Sequence, residues 1–187
     1  GADGTVDLCR TAGWKVVLQK AKGVSSARLE GFAQAKGGII ASTDADTAVN
    51  PTWIDQLVTA FSDPEVVCVY GPTLLDSKSL FHAVYSQIGS LFQRLGHAFG
   101  FDHVFGMNFA VRKSAYFKAG GFNPQLITAE DTDLGFRVGK LGKVKFLPSL
   151  TVRTSPRRLQ HYGLFRFFIH HLKNLVNMAV SGKSSSN

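Results

Sequence analysis

Two apolar runs rich in β-branched residues, GIIAST (Gly38–Thr43) and VVCVYG (Val66–Gly71), flank a helix-length segment, and this alternation restricts the possible folds most. Continuous apolar runs of this length, bounded by turn formers, read as strands buried on both faces, as in sheets covered by helices on each side. WKVVLQ (Trp14–Gln19) is predicted as a further strand ahead of them. Helical patterns fill the gaps. Thr5 is expected to cap a short helix through VDLCRTAG, SSARLEGFAQAKG (Ser25–Gly37) reads as a helix closed by glycine, and Asn50 is expected to cap a helix whose first residue is Pro51. Strands alternating with helices predict an α/β sandwich with a mainly parallel central sheet.

The second half is less regular. Ser79–Phe99 is apolar at mixed helical spacing, FGMNFAVR (Phe105–Arg112) reads as a strand and Gly120–Phe122 as a turn. AEDTDLGFRVGKLG (Ala129–Gly142) reads as a helix with its acids in the first turn, where the macrodipole favours them, and KVKFLP and LTVRT as short strands. At 187 residues, 44% hydrophobic and 18% charged, the chain is expected to form one ordered domain over residues 1–160, followed by a basic tail over 161–187. Ser184–Asn187 reads as a frayed end.

The net charge of +8 is unevenly spread. Residues 1–133 hold all 13 acids and 11 of the 21 Lys and Arg, so Leu134–Asn187 carries ten cations and no carboxylate. Such a block suggests a local anionic partner: phosphates, nucleic acid or an acidic membrane surface. Neither zinc-ligand spacing nor an aromatic-basic nucleic-acid pattern accompanies it, so no nucleic acid is expected. Two cysteines, Cys9 and Cys68, fit a reducing, cytoplasmic setting without a disulfide framework.

In parallel sheets ligands sit beyond the carboxyl ends of strands, and the run Gly38–Thr43 ends in Asp44-Ala45-Asp46. Two carboxylates on such a loop suit a hard divalent cation that leaves positions open for phosphate oxygens. The ordinary alternative is that one aspartate caps a turn and the other is solvated. Phosphohydrolases that form an aspartyl-phosphate also place D-x-D after an apolar strand, but follow it with Thr or Val where this chain has Ala48.

Three stretches, GVSSARLEGFAQAKGGIIASTDAD, FGMNFAVRKSAYFKAGGF and AEDTDLGFRVGKLGKVKFLP, resemble in order and spacing the family 2 glycosyltransferases of GT-A fold. The resemblance covers nearly the whole chain and begins after that family's first βαβ segment, so an upstream strand with a base-recognising acid is expected. It implies that Asp46 binds Mg²⁺ or Mn²⁺ on a nucleotide-diphospho-sugar donor, with Asp44 touching the nucleotide or the metal's water. It implies further that Arg28 faces the nucleotide, that Asp131 is the general base with Glu130 beside it, and that Gly106 and Asn108 line the acceptor side. The implied activity is inverting, metal-dependent transfer of a sugar to a lipid-linked or glycan acceptor. Such a reaction needs a base for the acceptor hydroxyl and a cation for the departing diphosphate. The family's Ala-Arg-Asn is Ala27-Arg28-Leu29 here, and Ser155–Gly163 stands where processive synthases have Q-x-x-R-W, so processive synthesis is not expected.

Each residue also has a structural explanation: first-turn acids for Glu130 and Asp131, a solvated helix face for Arg28, backbone satisfaction for Asn108. A non-catalytic basic binding domain and the phosphohydrolase remain the rival functions. Arg157 and Arg158 suit a donor diphosphate or a lipid phosphate. In Gly163–Val180, helical spacing puts Leu164, Phe168, Leu172, Leu175 and Ala179 on one face and Arg166, His170, Lys173 and Asn177 on the other. Two readings stand for it: an interfacial helix giving peripheral contact at the inner face of the cell membrane, or a helix packing its apolar face on the domain.

Overall fold

The computed structural model describes residues 3–126, 128–157 and 159. Arg158, the segment Gly163–Val180 and the end Ser184–Asn187 lie outside the described residues.

The helices α1 (Thr5–Thr11) and α2 (Val24–Ala33) precede strand β1 (Ile39–Ser42). Next come β2 (Thr47–Val49), α3 (Trp53–Ala60), β3 (Val66–Tyr70), β4 (Thr73–Leu75) and the long α4 (Leu80–Ala98). The rest of the described chain forms β5 (Phe109–Arg112), α5 (Lys113–Lys118), α6 (Glu130–Gly139), β6 (Lys143–Phe146) and β7 (Val152–Thr154). The main sheet has the order β1-β5-β3-β6. β3 and β6 pair in parallel, and β5 lies antiparallel between β1 and β3, so β1, β3 and β6 share one direction. The α/β architecture read from the sequence is therefore present, with one reversed strand inserted.

β3 is the axis of the core, buried at all five positions. Cys68 and Tyr70 join Phe32, Phe109, Tyr116, Phe122 and Leu134 on one face, while Val66 and Val69 join Trp53, Leu57, Phe61 and Leu150 on the other. A register shift between Val66 and Cys68 puts Val67 and Cys68 on the same side, which breaks the strict alternation expected of a strand.

Several local expectations are corrected. Trp14–Gln19 forms no strand, and Trp14 and Leu18 are exposed. β propensity is realised only against a neighbouring strand. Gly4, in left-handed backbone, precedes α1, whose first residue is Thr5. Asn50 and Pro51 form a turn ahead of α3: the Asn50 carbonyl accepts from Trp53 N–H at 3.0 Å, and the N-cap position falls to Thr52. A second sheet, β2-β7-β4, pairs β7 antiparallel to β2 and parallel to β4. Its two outer strands were not foreseen.

The reversed strand positions the site. Ser42 at the end of β1 and Tyr70 at the end of β3 are both in register with Phe109 at the start of β5. The carboxyl ends of β1 and β3 and the loop entering β5 thus meet at one edge of the sheet.

Candidate active site

Asp44 lies two residues past the end of β1, and its Oδ1 accepts from Arg28 Nη2 at 3.0 Å. The other arm of the Arg28 guanidinium, Nη1, pairs with Glu130 Oε1 and lies 4.0 Å from Asp131 Oδ2. Arg28 therefore joins a helix of the N-terminal part, the D-x-D loop and the start of α6. A Cβ built on Gly106 would fall inside the Arg28 guanidinium, so the arginine packs directly on the loop before β5 and a side chain there would push the guanidinium out of its place. Gly106 N–H donates to Asp131 Oδ2 at 2.6 Å, and Thr132 N–H donates to Asp131 Oδ1 at 2.8 Å. Both oxygens of that carboxylate are oriented by backbone.

Three further features fix this arrangement. Buried Ser42 donates its hydroxyl to Gly106 O at 2.7 Å, fixing the peptide on the other side of the residue whose N–H meets Asp131. Thr132 Oγ1 donates to Val104 O at 3.1 Å, pinning the first turn of α6 to the same loop. Ala129, which precedes α6, sits in left-handed backbone at φ 60°. For a residue with a Cβ this costs about 1–3 kcal/mol and persists where the surroundings hold it. Here it delivers Glu130 and Asp131 to the sheet edge.

Glu130 is buried beside a second carboxylate. Burial, and then the nearby Asp131, push its carboxyl above the usual range, and the Arg28 charge only partly offsets them. That proximity, across 102 residues of sequence, is what the helix pattern of Ala129–Gly142 could not reveal.

Asp46 is placed differently. It leads into β2, its backbone carbonyl accepts from Ser155 N–H at 3.1 Å, and its Oδ2 accepts from Arg157 Nη2 at 2.9 Å. The β2–β7 pairing that includes Thr47 and Thr154 brings Arg157 to the D-x-D loop. An open groove of about 740 Å³ runs along α2 and β1, with Arg28, Phe32, Ile40 and Asp44 in its walls.

Asn108 departs from its expected place on the acceptor side. It is wholly buried, its oxygen accepts from Trp53 Nε1 at 2.9 Å, and its amide donates to Pro72 O at 2.9 Å and Leu150 O at 2.6 Å. The side chain ties β5 to α3 and to the chain entering β4 and β7, leaving neither N–H for a ligand. Ser42 and Trp53 were missed in the sequence; a lone serine at the end of an apolar strand was the available signal for the first.

The metal-ligand set can be judged from its chemistry. Among the described residues no three His, Cys, Asp or Glu cluster as a complete cation site. Asp44 and Asp46 each give one oxygen to an arginine and keep the second free of hydrogen bonds among the described residues. Two hard, partly exposed carboxylates fit a divalent cation that draws its remaining ligands from phosphate and water.

A four-stranded mixed sheet with D-x-D at the end of β1 and paired acids opening α6 is the GT-A glycosyltransferase fold, and solved structures of that fold superpose on nearly the whole chain. The mannosyltransferase PcManGT from Pyrobaculum calidifontis, solved with GDP-Man and Mn²⁺, aligns with a TM-score of 0.68 at 17% identity, covering 98% of this chain and 53% of that one. Glucosyl-3-phosphoglycerate synthase from Mycobacterium tuberculosis, solved with Mn²⁺, UDP and glucosyl-3-phosphoglycerate, aligns at 0.64 and 15% identity, covering all of this chain and 67% of that one. The chain belongs to glycosyl transferase family 2, whose family model matches residues 1–119. It is 31% identical to the probable glycosyltransferase YdaM of Bacillus subtilis (strain 168), across 72% of this chain and 35% of that protein. The chain thus spans about a third of the length of that relative. Neither rival function draws support from these similarities.

Proposed function

We propose that the chain forms the catalytic core of an inverting, metal-dependent glycosyltransferase that moves a sugar from a nucleotide-diphospho-sugar to a glycan or lipid-linked acceptor. The observation behind this reading is the Arg28 bridge, which joins Asp44 on the D-x-D side to Glu130 and Asp131 on the α6 side of one cleft. Metal-bound, nucleotide-bound relatives of the same fold support the donor class.

The donor nucleotide would lie in the groove along α2 and β1, with Arg28 facing its phosphates. Asp46 and Asp44 would hold Mg²⁺ or Mn²⁺, which when bound neutralises charge growing on the departing diphosphate. Arg157, on the adjacent rim, would exchange its contact with Asp46 for a phosphate oxygen. On the other side Asp131 would take the acceptor hydroxyl proton as that oxygen bonds to the anomeric carbon and the bond to the diphosphate breaks on the opposite face. A single displacement of this kind inverts the anomeric centre. The Gly106 and Thr132 N–H groups hold the Asp131 carboxylate in one orientation throughout, and Glu130 would hydrogen-bond donor or acceptor. The cations that follow Leu134 would add a peripheral, salt-sensitive contact with anionic lipid where the acceptor is membrane-borne.

Asp131→Asn in the intact protein tests the assignment. Donor binding should change little while turnover falls by roughly 10²–10⁴, the usual contribution of a positioned general base. Turnover within a few-fold of wild type would move the base elsewhere, with Glu130 the first candidate.

A further inference from the structure

α4 is turned inside out. The side chains it buries are Ser86, whose hydroxyl accepts from Leu75 N–H at 2.9 Å, and Gln93, whose amide donates to His103 O at 3.0 Å. Its apolar side chains point outward: Phe81, Val84, Ile88, Leu91 and Leu95 recur at alternating three- and four-residue steps, with Ile88 62% and Leu95 50% exposed. That is the spacing of a helix seam meant to be covered by another helix, and an apolar strip this long is unusual on a surface left bare.

We propose that this strip seats the chain's own C-terminal segment, Gly163–Val180. The described chain ends close to this strip. Thr154 pairs with Leu75, Asp76 N–H donates to Thr154 O at 2.8 Å, and Leu75 N–H is the donor to Ser86 in the middle of α4. The chain thus leaves β7 beside α4 and reaches buried Leu159 five residues later, four residues before the segment starts. Such a short tether holds the segment at millimolar effective concentration or above near the strip.

The segment also matches the strip in size and pattern. At about 1.5 Å per residue, the 19 residues of α4 and the 18 residues of Gly163–Val180 in helical form have matching lengths, about 28 and 27 Å. Leu164, Phe168, Leu172, Leu175 and Ala179 also fall at three- and four-residue steps, which put them on one helical face. Charge favours the same occupant. From Leu80 to Ala98 the sequence has one Arg, two His and no acid, so the strip offers anionic headgroups few anchors, whereas an apolar helix face needs none. Seated in this way, the segment turns Arg166, His170 and Lys173 outward, and any lipid contact made by this end of the chain is electrostatic.

The test is a cysteine pair, Ile88→Cys with Leu172→Cys, in a full chain carrying Cys9→Ser, treated with a short bismaleimide. These midpoints face each other whichever way the segment runs. A link within one chain, absent from a Lys118→Cys with Leu172→Cys control, is the expected result. A link only between chains would assign the strip to a second copy, and no link would leave the segment elsewhere; either overturns the proposal. Hydrogen exchange gives an independent readout on a fold-preserving variant. Phe168→Asp with Leu172→Asp should raise exchange in α4 at least tenfold while β3 and β5 keep their protection. Unchanged α4 exchange, or α4 protection that arises only with vesicles of phosphatidylglycerol and phosphatidylcholine, would also overturn it.

Discussion

The two aspartates of the D-x-D are similarly exposed, Asp44 26% and Asp46 31%, but the arginines that hold them lie in opposite surroundings. Arg28 is 12% exposed and its partner Glu130 5%, whereas Arg157 is 74% exposed and Asp46 31%. A charge taken from water needs its partners, and removing one leaves an uncompensated buried ion. An exposed pair is screened and exchanges its partner at little cost. The inner network is thus a frame built into the fold, while the outer pair can part at little cost. In the proposed reaction this divides the labour: the frame sets the distance between the metal side and the base side, and the rim takes up the diphosphate.

The largest effect is expected at Arg28. Arg28→Ala should destabilise the fold by about 3–5 kcal/mol, since Glu130, Asp44 and Asp131 lose a shared counter-ion. Urea unfolding measures this directly. A loss below about 1 kcal/mol would mean that water already reaches the cluster and that the inner frame is no different from the rim.

A smaller, pH-dependent effect is expected at Glu130. Its folded carboxyl titrates above the ordinary value of 4.5, so the folded chain binds the proton more tightly than the unfolded one. The stability it contributes is fully present below that value and is lost as pH rises through the folded one. Gln mimics the protonated form and escapes the loss. Glu130→Gln should therefore match wild type near pH 4 and melt a few °C higher at pH 7. A lower melting temperature at pH 7 would show that pairing with Arg28 outweighs burial and the Asp131 repulsion.

Much of the frame was legible because its strands are continuous apolar runs: β1 and β3 fall inside the predicted segments, and α6 begins at the predicted acids. What escaped depends on partners distant in sequence. β2 and β4 are three residues each and exist through pairing with β7, and no local pattern marks them. Trp14–Gln19 shows the converse, a strand-like composition without a pairing neighbour among the described residues. At the site, residue types pointed to Arg28, Asp44, Asp46, Glu130 and Asp131, but only the fold shows that one guanidinium spans three carboxylates. Asn108 illustrates the opposite limit: a polar residue in a motif position whose hydrogen bonds all go to the fold.

In the proposed reaction the rim carboxylate Asp46 receives a metal and a diphosphate. Asp46→Ala should leave stability within about 1 kcal/mol of wild type, because it removes only an exposed pair. Calorimetry of a nucleoside diphosphate with Mn²⁺, on the intact wild-type and Asp46→Ala proteins, is the direct measurement. Mn²⁺-dependent binding in the wild type and its loss in the variant, by tenfold or more in affinity, is the result expected when a hard cation loses a charged oxygen ligand. Equal affinity in both proteins, with and without Mn²⁺, would contradict the account.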